Sequence, residues 1–249
     1  MSTTFKDHFS GHAALYRRYR PSWPAAFFQW LAGLCDRHEL AWDAGTGNGQ
    51  AAVLVAEHFA RVVASDASAA QIDEAEPHPK VTYTVAPAEA SGLAPASVDL
   101  ALSAQALHWF DHTRYYDEVR RVVRPGGVVA GLTYLHPTVS PSIDPLLREY
   151  IAHVWNDWPP ERRFVDAGYA NVPFPFDEIA IPSGLTLTQD LDFEGFYGYL
   201  ATWSAAQRSL KRTGLDPRLA WLEPLRAAWG DPARTMTVRW PLAGRVGRV

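Results

Sequence analysis

Residues 43–49 read Asp-Ala-Gly-Thr-Gly-Asn-Gly, with glycines at alternate positions, Gly45, Gly47 and Gly49. Glycine permits backbone angles closed to other residues and lets a ligand come close to the main chain. The apolar run "ELAW" leads into the turn and small apolar residues follow it, so it joins a strand to a helix. Such a turn could hold the phosphates of ATP, the pyrophosphate of a dinucleotide, or a nucleotide-like group without phosphate. The first needs G-x-x-x-x-G-K-[ST], and no lysine follows Gly49. The second fits better, because Gly45 and Gly47 begin a G-x-G-x-x-G pattern, but Gln50 stands where the third glycine belongs.

Asp43 decides between the remaining two. A carboxylate at the strand end repels a pyrophosphate and suits a cation. S-Adenosylmethionine meets that demand, since it lacks phosphate and carries an ammonium and a sulfonium. A second acid follows in "VVASD", where Asp66 ends the next strand and can accept both hydroxyls of a ribose. Local roles stay open for both acids: Asp43 could bond only nearby amides, and Asp66 could cap the following helix.

Other residues with chemistry lie further along. His108 and Trp109 follow the fourth apolar strand directly, where a methyl donor and acceptor would meet. The expectation is that His108 orients or deprotonates the acceptor and Trp109 walls its pocket; a packed structural pair is the alternative. His8, His12, Tyr16 and Arg20 recur every four residues and would share a helix face, but Gly11 interrupts the helix and no third metal ligand is evident. No metal is therefore expected. Tyr134, Trp155, Tyr199 and Trp203 are aromatic candidates for an acceptor pocket, with core packing the competing role. Cys35 is the only cysteine, which excludes a disulfide within the chain.

The elements that would position these residues alternate strand and helix. "LAWDA", "RVVASD", "KVTYTVA", "SVDLALSA" and "VVAGLTY" read as five buried strands. Helices are predicted from Gln50 to Phe59, through Ile72, and from about Asp111, a plausible N-cap, to Val123. This alternation implies a parallel, doubly wound sheet. After Tyr134 the pattern changes to a proline- and aromatic-rich stretch with one helical run, "DPLLREYIAHVW". "FDEIAI" and "TMTVRWPL" are further strand candidates, and "FEGFYGYLATWSAAQRSL" reads as a helix.

Five motifs in this order resemble the class I S-adenosylmethionine-dependent methyltransferases, of the small-molecule type that includes the trans-aconitate and ubiquinone-pathway enzymes. They are "DAGTGNG", "VVASDAS", "APAEASGL", "SVDLALSAQALHW" and "VVRPGGVVA", running from Asp43 to Ala130. The resemblance implies a doubly wound, mostly parallel seven-stranded Rossmann-like sheet in one domain. Residues 1–38 would supply an N-terminal lid and first helix, 39–135 the cofactor core, 136–175 and 190–225 helical inserts on the acceptor side, and 176–189 and 233–249 the last strands. It implies that Asp43, Gly45 and Gly47 line the methionine end of the cofactor, that Asp66 holds the ribose with Ala67 beside the adenine, and that Ala88 and Glu89 contact the adenine. Glu89 could equally be a helix-start residue. Gln105 would lie under the methionine and sulfonium. Tyr16 and Arg20, on the lid, would touch the donor or meet a carboxylate. Tyr134, Trp109 and Trp203 would border the acceptor.

The bulk properties narrow the class of partner. A chain of 249 residues with net charge −4 has no basic field for nucleic acid. No segment reaches the roughly 20 apolar residues of a membrane span, and the first residues lack the apolar run of a signal peptide. The expectation is a cytoplasmic monomer or homodimer that methylates an O, N or S nucleophile of a small carboxylic acid or hydroxylated aromatic. Two alternatives remain at this stage: a nicotinamide-dependent oxidoreductase, and a non-catalytic protein that binds S-adenosylmethionine.

Overall fold

The structure is a computed structural model that describes residues 19–249. Tyr16 and the lid histidines lie outside the described residues.

The five apolar runs form five strands: β1 (Leu40–Ala44), β2 (Arg61–Asp66), β3 (Val81–Val85), β4 (Val98–Ala104) and β5 (Val123–Tyr134). All pair in parallel. Every residue of β1 is buried, as a strand covered on both faces requires, and its sequence is accordingly almost continuous in apolar residues. The helices α1 (Ala25–Gly33) and α2 (Gln50–Ala56) belong to the hydrophobic cluster on one face. On the other, α4 (His112–Val122) buries Tyr115, Tyr116, Val119 and Val122 with Tyr169 and Val172. The short α3 (Ala69–Asp73) links β2 to β3.

Among the described residues the sheet has eight strands, seven in the order β3-β2-β1-β4-β5-β8-β6 and β7 paired to β8 outside that path. That path holds the seven expected strands, and β7 is an addition to it. The reason is the length of β8 (Met236–Arg248). Its first half, Met236 to Pro241, pairs antiparallel with β7 (Thr186–Leu191). Its second half, Leu242 to Arg248, pairs antiparallel with β5. Of the "FDEIAI" run only Asp177–Glu178 enters the sheet, as β6.

The helical inserts are α5 (Asp144–His153), α6 (Arg162–Asp166), α7 (Phe193–Ala201), α8 (Ser204–Thr213) and α9 (Leu219–Trp229). The single helix predicted over residues 193–210 is two, because Trp203 takes an extended conformation with ψ 133° and its ring packs into the core. Within β5, the "RPGG" residues lie between the pairs Val98–Val123 and Leu100–Val128 and shift the register there. Buried Asp99 braces this irregularity. Its Oδ1 lies 2.9 Å from Arg124 Nε, and its Oδ2 accepts the backbone N–H groups of Glu39 and Leu40 at the entry to β1.

Candidate functional site

The carboxyl ends of β1, β2 and β4 meet at the glycine turn, where ligands bind in open parallel sheets. Four of the turn's own amides are already engaged. Gly45 and Thr46 both donate to the Ser65 carbonyl, at 2.8 and 3.0 Å, and Gly49 donates to the Thr46 carbonyl at 3.1 Å. Gly47 donates to Asp66 Oδ2 at 2.9 Å. A phosphate cradle needs such N–H groups turned to the ligand; here these four are spent.

What the turn offers instead is a carboxylate. Asp43 is 1% exposed. Thr46 Oγ1 donates to its Oδ2 at 2.6 Å, and its Oδ1 is buried without a hydrogen bond. Burial pushes the carboxyl up to about 7; the Thr46 hydroxyl opposes that rise, nearby Asp66 adds to it, and the Ala52 backbone N–H relieves it slightly. A buried, half-satisfied carboxylate is costly unless a cation or a proton joins it.

The three glycines have different reasons to be there. All have positive φ, +69° at Gly45, +57° at Gly47 and +88° at Gly49. A Cβ at Gly45 would come within 2.6 Å of Ala106 Cβ, so the exit of β4 closes directly on the turn. At Gly49 the Tyr83 side chain fills the space. At Gly47 the nearest atom is Gln71 Oε1 at 3.7 Å, so only this glycine has room above it.

Asp66 Oδ1 accepts the Ser68 N–H at 2.8 Å, so the same carboxylate that shapes the turn also steadies the start of α3. Ala67 follows it, partly buried. Ala88 is buried beyond β3. Glu89 Oε1 accepts the Asp111 N–H at 2.8 Å, which ties the expected adenine turn to the N-terminus of α4. Asp111 caps that helix by accepting from Arg114 N.

Gln105 has φ +60°, a strained setting for a side chain other than glycine. Its Oε1 accepts Thr133 Oγ1 at 2.9 Å and the Tyr134 N–H at 3.0 Å, which locks the ends of β4 and β5 together. His108 and Trp109 lie in a 3-10 turn, Leu107–Trp109, with their rings 4.7 Å apart. His108 is 8% exposed, and its Nδ1 lies 2.9 Å from the Tyr169 hydroxyl. Burial, with Arg162 and His112 nearby, pushes its pKa down to about 3. It stays neutral at physiological pH and is a poor proton acceptor.

Arg20 Nη1 donates to the Tyr134 hydroxyl at 2.8 Å, and Nη2 donates to the Thr202 carbonyl at 3.0 Å. It thus fastens the segment before α1 to the end of β5 and to the break between α7 and α8. Trp203, at that break, is buried against Tyr150, Trp158, Tyr199 and His136. Arg20, Tyr134 and Trp203, widely separated in sequence, are therefore one neighbourhood. Trp155 is instead 53% exposed.

Residues 42–131 match the family model described as a methyltransferase domain. The chain is 49% identical to the solved structure of a candidate type II methyltransferase from Anaeromyxobacter dehalogenans, with a TM-score of 0.86 over 92% of this chain and 98% of that one. The chain belongs to the class I S-adenosylmethionine-dependent methyltransferases. A candidate methyltransferase of Dictyostelium discoideum is 29% identical over 219 residues, 86% of this chain and 83% of its own. An uncharacterized methyltransferase of Mycobacterium tuberculosis is 37% identical over 120 residues, 48% of this chain and 49% of its own. The region shared with the mycobacterial protein is therefore only about half of either chain.

Several residues of this methyltransferase escaped sequence reasoning. Thr46 sits inside the motif, yet its bond to Asp43 carries no separate signal. Tyr169 reaches His108 from 61 residues away, and nothing in the sequence marks the pair. His136, Trp158, Arg162 and Asp166 gather beside Trp203. The four-residue spacing of Arg162 and Asp166 on one helix was the only available hint.

Proposed function

We propose that this methyltransferase transfers a methyl group from S-adenosylmethionine to an O, N or S nucleophile of a small molecule, by direct in-line displacement. The cofactor supplies a methyl group activated by the positive sulfonium. Asp43 would hold its ammonium and Asp66 its ribose, with Ala67, Ala88 and Glu89 near the adenine and Gln105 near the methionine end. Arg20, Tyr134, Trp109 and Trp203 would border the acceptor. The protein's contribution is alignment and exclusion of water, for which oriented reactants gain large effective concentrations.

One observation carries the choice of cofactor. The glycine turn presents a buried carboxylate with an unsatisfied oxygen while the amides of Gly45, Thr46, Gly47 and Gly49 are bonded within the protein. That pairing suits a cation and disfavours a phosphate. With His108 held neutral and buried, the acceptor is best supplied already ionised, as a carboxylate, phenolate or thiolate. Parallel calorimetric titrations with S-adenosylhomocysteine, NAD and ATP test the reading. Heat with the first alone is expected; no binding of S-adenosylhomocysteine would sink it.

A further inference from the structure

Three cations crowd the second half of α8. Arg208, Lys211 and Arg212 follow the i, i+3, i+4 spacing that makes side chains neighbours on a helix, about 5–6 Å apart at Cβ. Like charges so placed destabilise a helix. Lys211 and Arg212 recover some of that cost from the carbonyl end of the helix, but the effect is confined to the last turn, and Arg208 stands before it. The chain as a whole carries net charge −4, so the crowding is a local feature and not a reflection of composition.

The three cations open onto one space. With Asn156 and Asp157, from the 3-10 turn that follows α5, they line an open cleft of about 660 Å³, within the usual size range of ligand sites. Asp157 is the only acid among these five residues, and it is already engaged. Its Oδ1 accepts Arg212 Nε at 2.9 Å, and its Oδ2 accepts Arg212 Nη2 at 2.8 Å. The Arg212 bond holds the Asp157 carboxyl below its ordinary range, against the opposing effect of burial. The pair fastens α8 to the turn and cancels one positive charge. Arg208 and Lys211 are both exposed, and among the described residues neither makes a hydrogen bond or ion pair. The cleft therefore keeps three cations against one carboxylate.

That excess selects the ligand. A single carboxylate would answer only one of the two remaining charges. A phosphate monoester carries about −1.5 to −2 at pH 7 on three acceptor oxygens. Arginine offers such a group a planar fork and lysine a compact charge, and the Asn156 amide can add a neutral donor. We propose that Arg208, Lys211 and Asn156 form a binding site for a phosphate monoester dianion, with the Asp157–Arg212 pair fixing the helix that carries it. The glycine turn, with its bonded amides and buried acid, is a different place with the opposite preference. The phosphate site does not depend on the methyl-transfer reading.

The test is calorimetry on the full chain at low salt with phenyl phosphate, with phenyl sulfate as a singly charged control of the same shape, and with vesicles of phosphatidylcholine with or without phosphatidic acid. Phenyl phosphate should bind about three-fold or more tighter than phenyl sulfate, and about 0.5 M salt should erase the difference. Arg208→Gln and Lys211→Gln should each weaken it about two- to five-fold, and Lys211→Glu about ten-fold or more. Both side chains are exposed, so these variants should keep the wild-type melting temperature. Arg37→Glu reverses an exposed charge on the segment after α1 and should leave binding within about two-fold. Binding of phenyl phosphate identifies a soluble ester as the ligand; binding of phosphatidic acid vesicles alone, lost in Lys211→Glu, identifies a lipid headgroup. The proposal fails if neither phosphate probe binds, if phenyl sulfate binds as well as phenyl phosphate, or if Arg37→Glu weakens binding as much as Lys211→Glu. Phosphate binding without S-adenosylhomocysteine binding would overturn the methyl-transfer reading and leave this site standing.

Discussion

The phenolic oxygen of Tyr169 lies 2.9 Å from Nδ1 of His108, and Tyr169 is fully buried with a backbone φ of +65°. A left-handed conformation costs a bulky residue on the order of 1–3 kcal/mol. The bond it secures fixes the ring that follows β4, so the insert after β5 sets the orientation of a residue expected to face the acceptor.

Acid should therefore destabilise the protein through His108. Its folded pKa, about 3, lies below the ordinary histidine value of 6.5. The unfolded chain takes up the proton first, so stability is lost as pH falls from about 6.5 towards 3. Urea unfolding at pH 7 and pH 4.5 should show a loss of roughly 2 kcal/mol from this residue. The loss should shrink in His108→Gln. An equal fall in both proteins would contradict the assignment.

Asp43 behaves in the opposite sense. Its folded pKa, about 7, is raised from 3.8. In the protein without cofactor it favours folding most at low pH, and that contribution is lost as pH rises from about 4 to 7. Asp43→Asn should flatten this slope while removing most affinity for S-adenosylhomocysteine. The cofactor's ammonium prefers the ionised carboxylate, so wild-type affinity should rise with pH through about 7. Calorimetry at pH 6.5 in two buffers of different ionisation enthalpy should detect release of a proton; equal heats would refute the coupling.

Asp66→Ala should weaken S-adenosylhomocysteine binding about ten- to a hundred-fold, the worth of charge-assisted hydrogen bonds. Because Asp66 also accepts from Gly47 and Ser68, Asp66→Asn is the sharper variant: it retains an acceptor and should recover part of the melting temperature but little of the affinity.

Gly45→Ala is expected to destabilise the fold by about 2 kcal/mol or more, since both φ +69° and the 2.6 Å approach to Ala106 oppose a Cβ. Gly47→Ala faces only the backbone penalty, so thermal unfolding should rank it milder while cofactor binding ranks it worse. Reversal of those two orders would show that the open space at Gly47 is not where the ligand lies.

The half of the fold from Leu40 to Tyr134 is legible in the sequence because each strand ends in a residue with a visible reason: a glycine turn, an acid, a capping aspartate. The later half is not. The strand β7, "TLTQDL", carries polar residues that mask its pairing with β8, and α9 contains Pro224 within the helix. The break at Trp203 follows from where its ring packs, which no local pattern records. The same holds for the site. Asp43 and Asp66 announce themselves by position beside glycines and strand ends. His136, Arg162 and Trp158 come together only once α6 brings Arg162 beside the residues that follow β5 and α5.

The double pairing of β8 bears on how the chain reaches this state. The outer edge of β5 is covered only by residues more than a hundred positions later, Leu242 to Arg248. Contacts of such separation form slowly. Until they form, β5 presents a row of open backbone groups able to pair with another chain. Refolding yield should accordingly fall with protein concentration, and the β5 edge is where misassembly between molecules would begin.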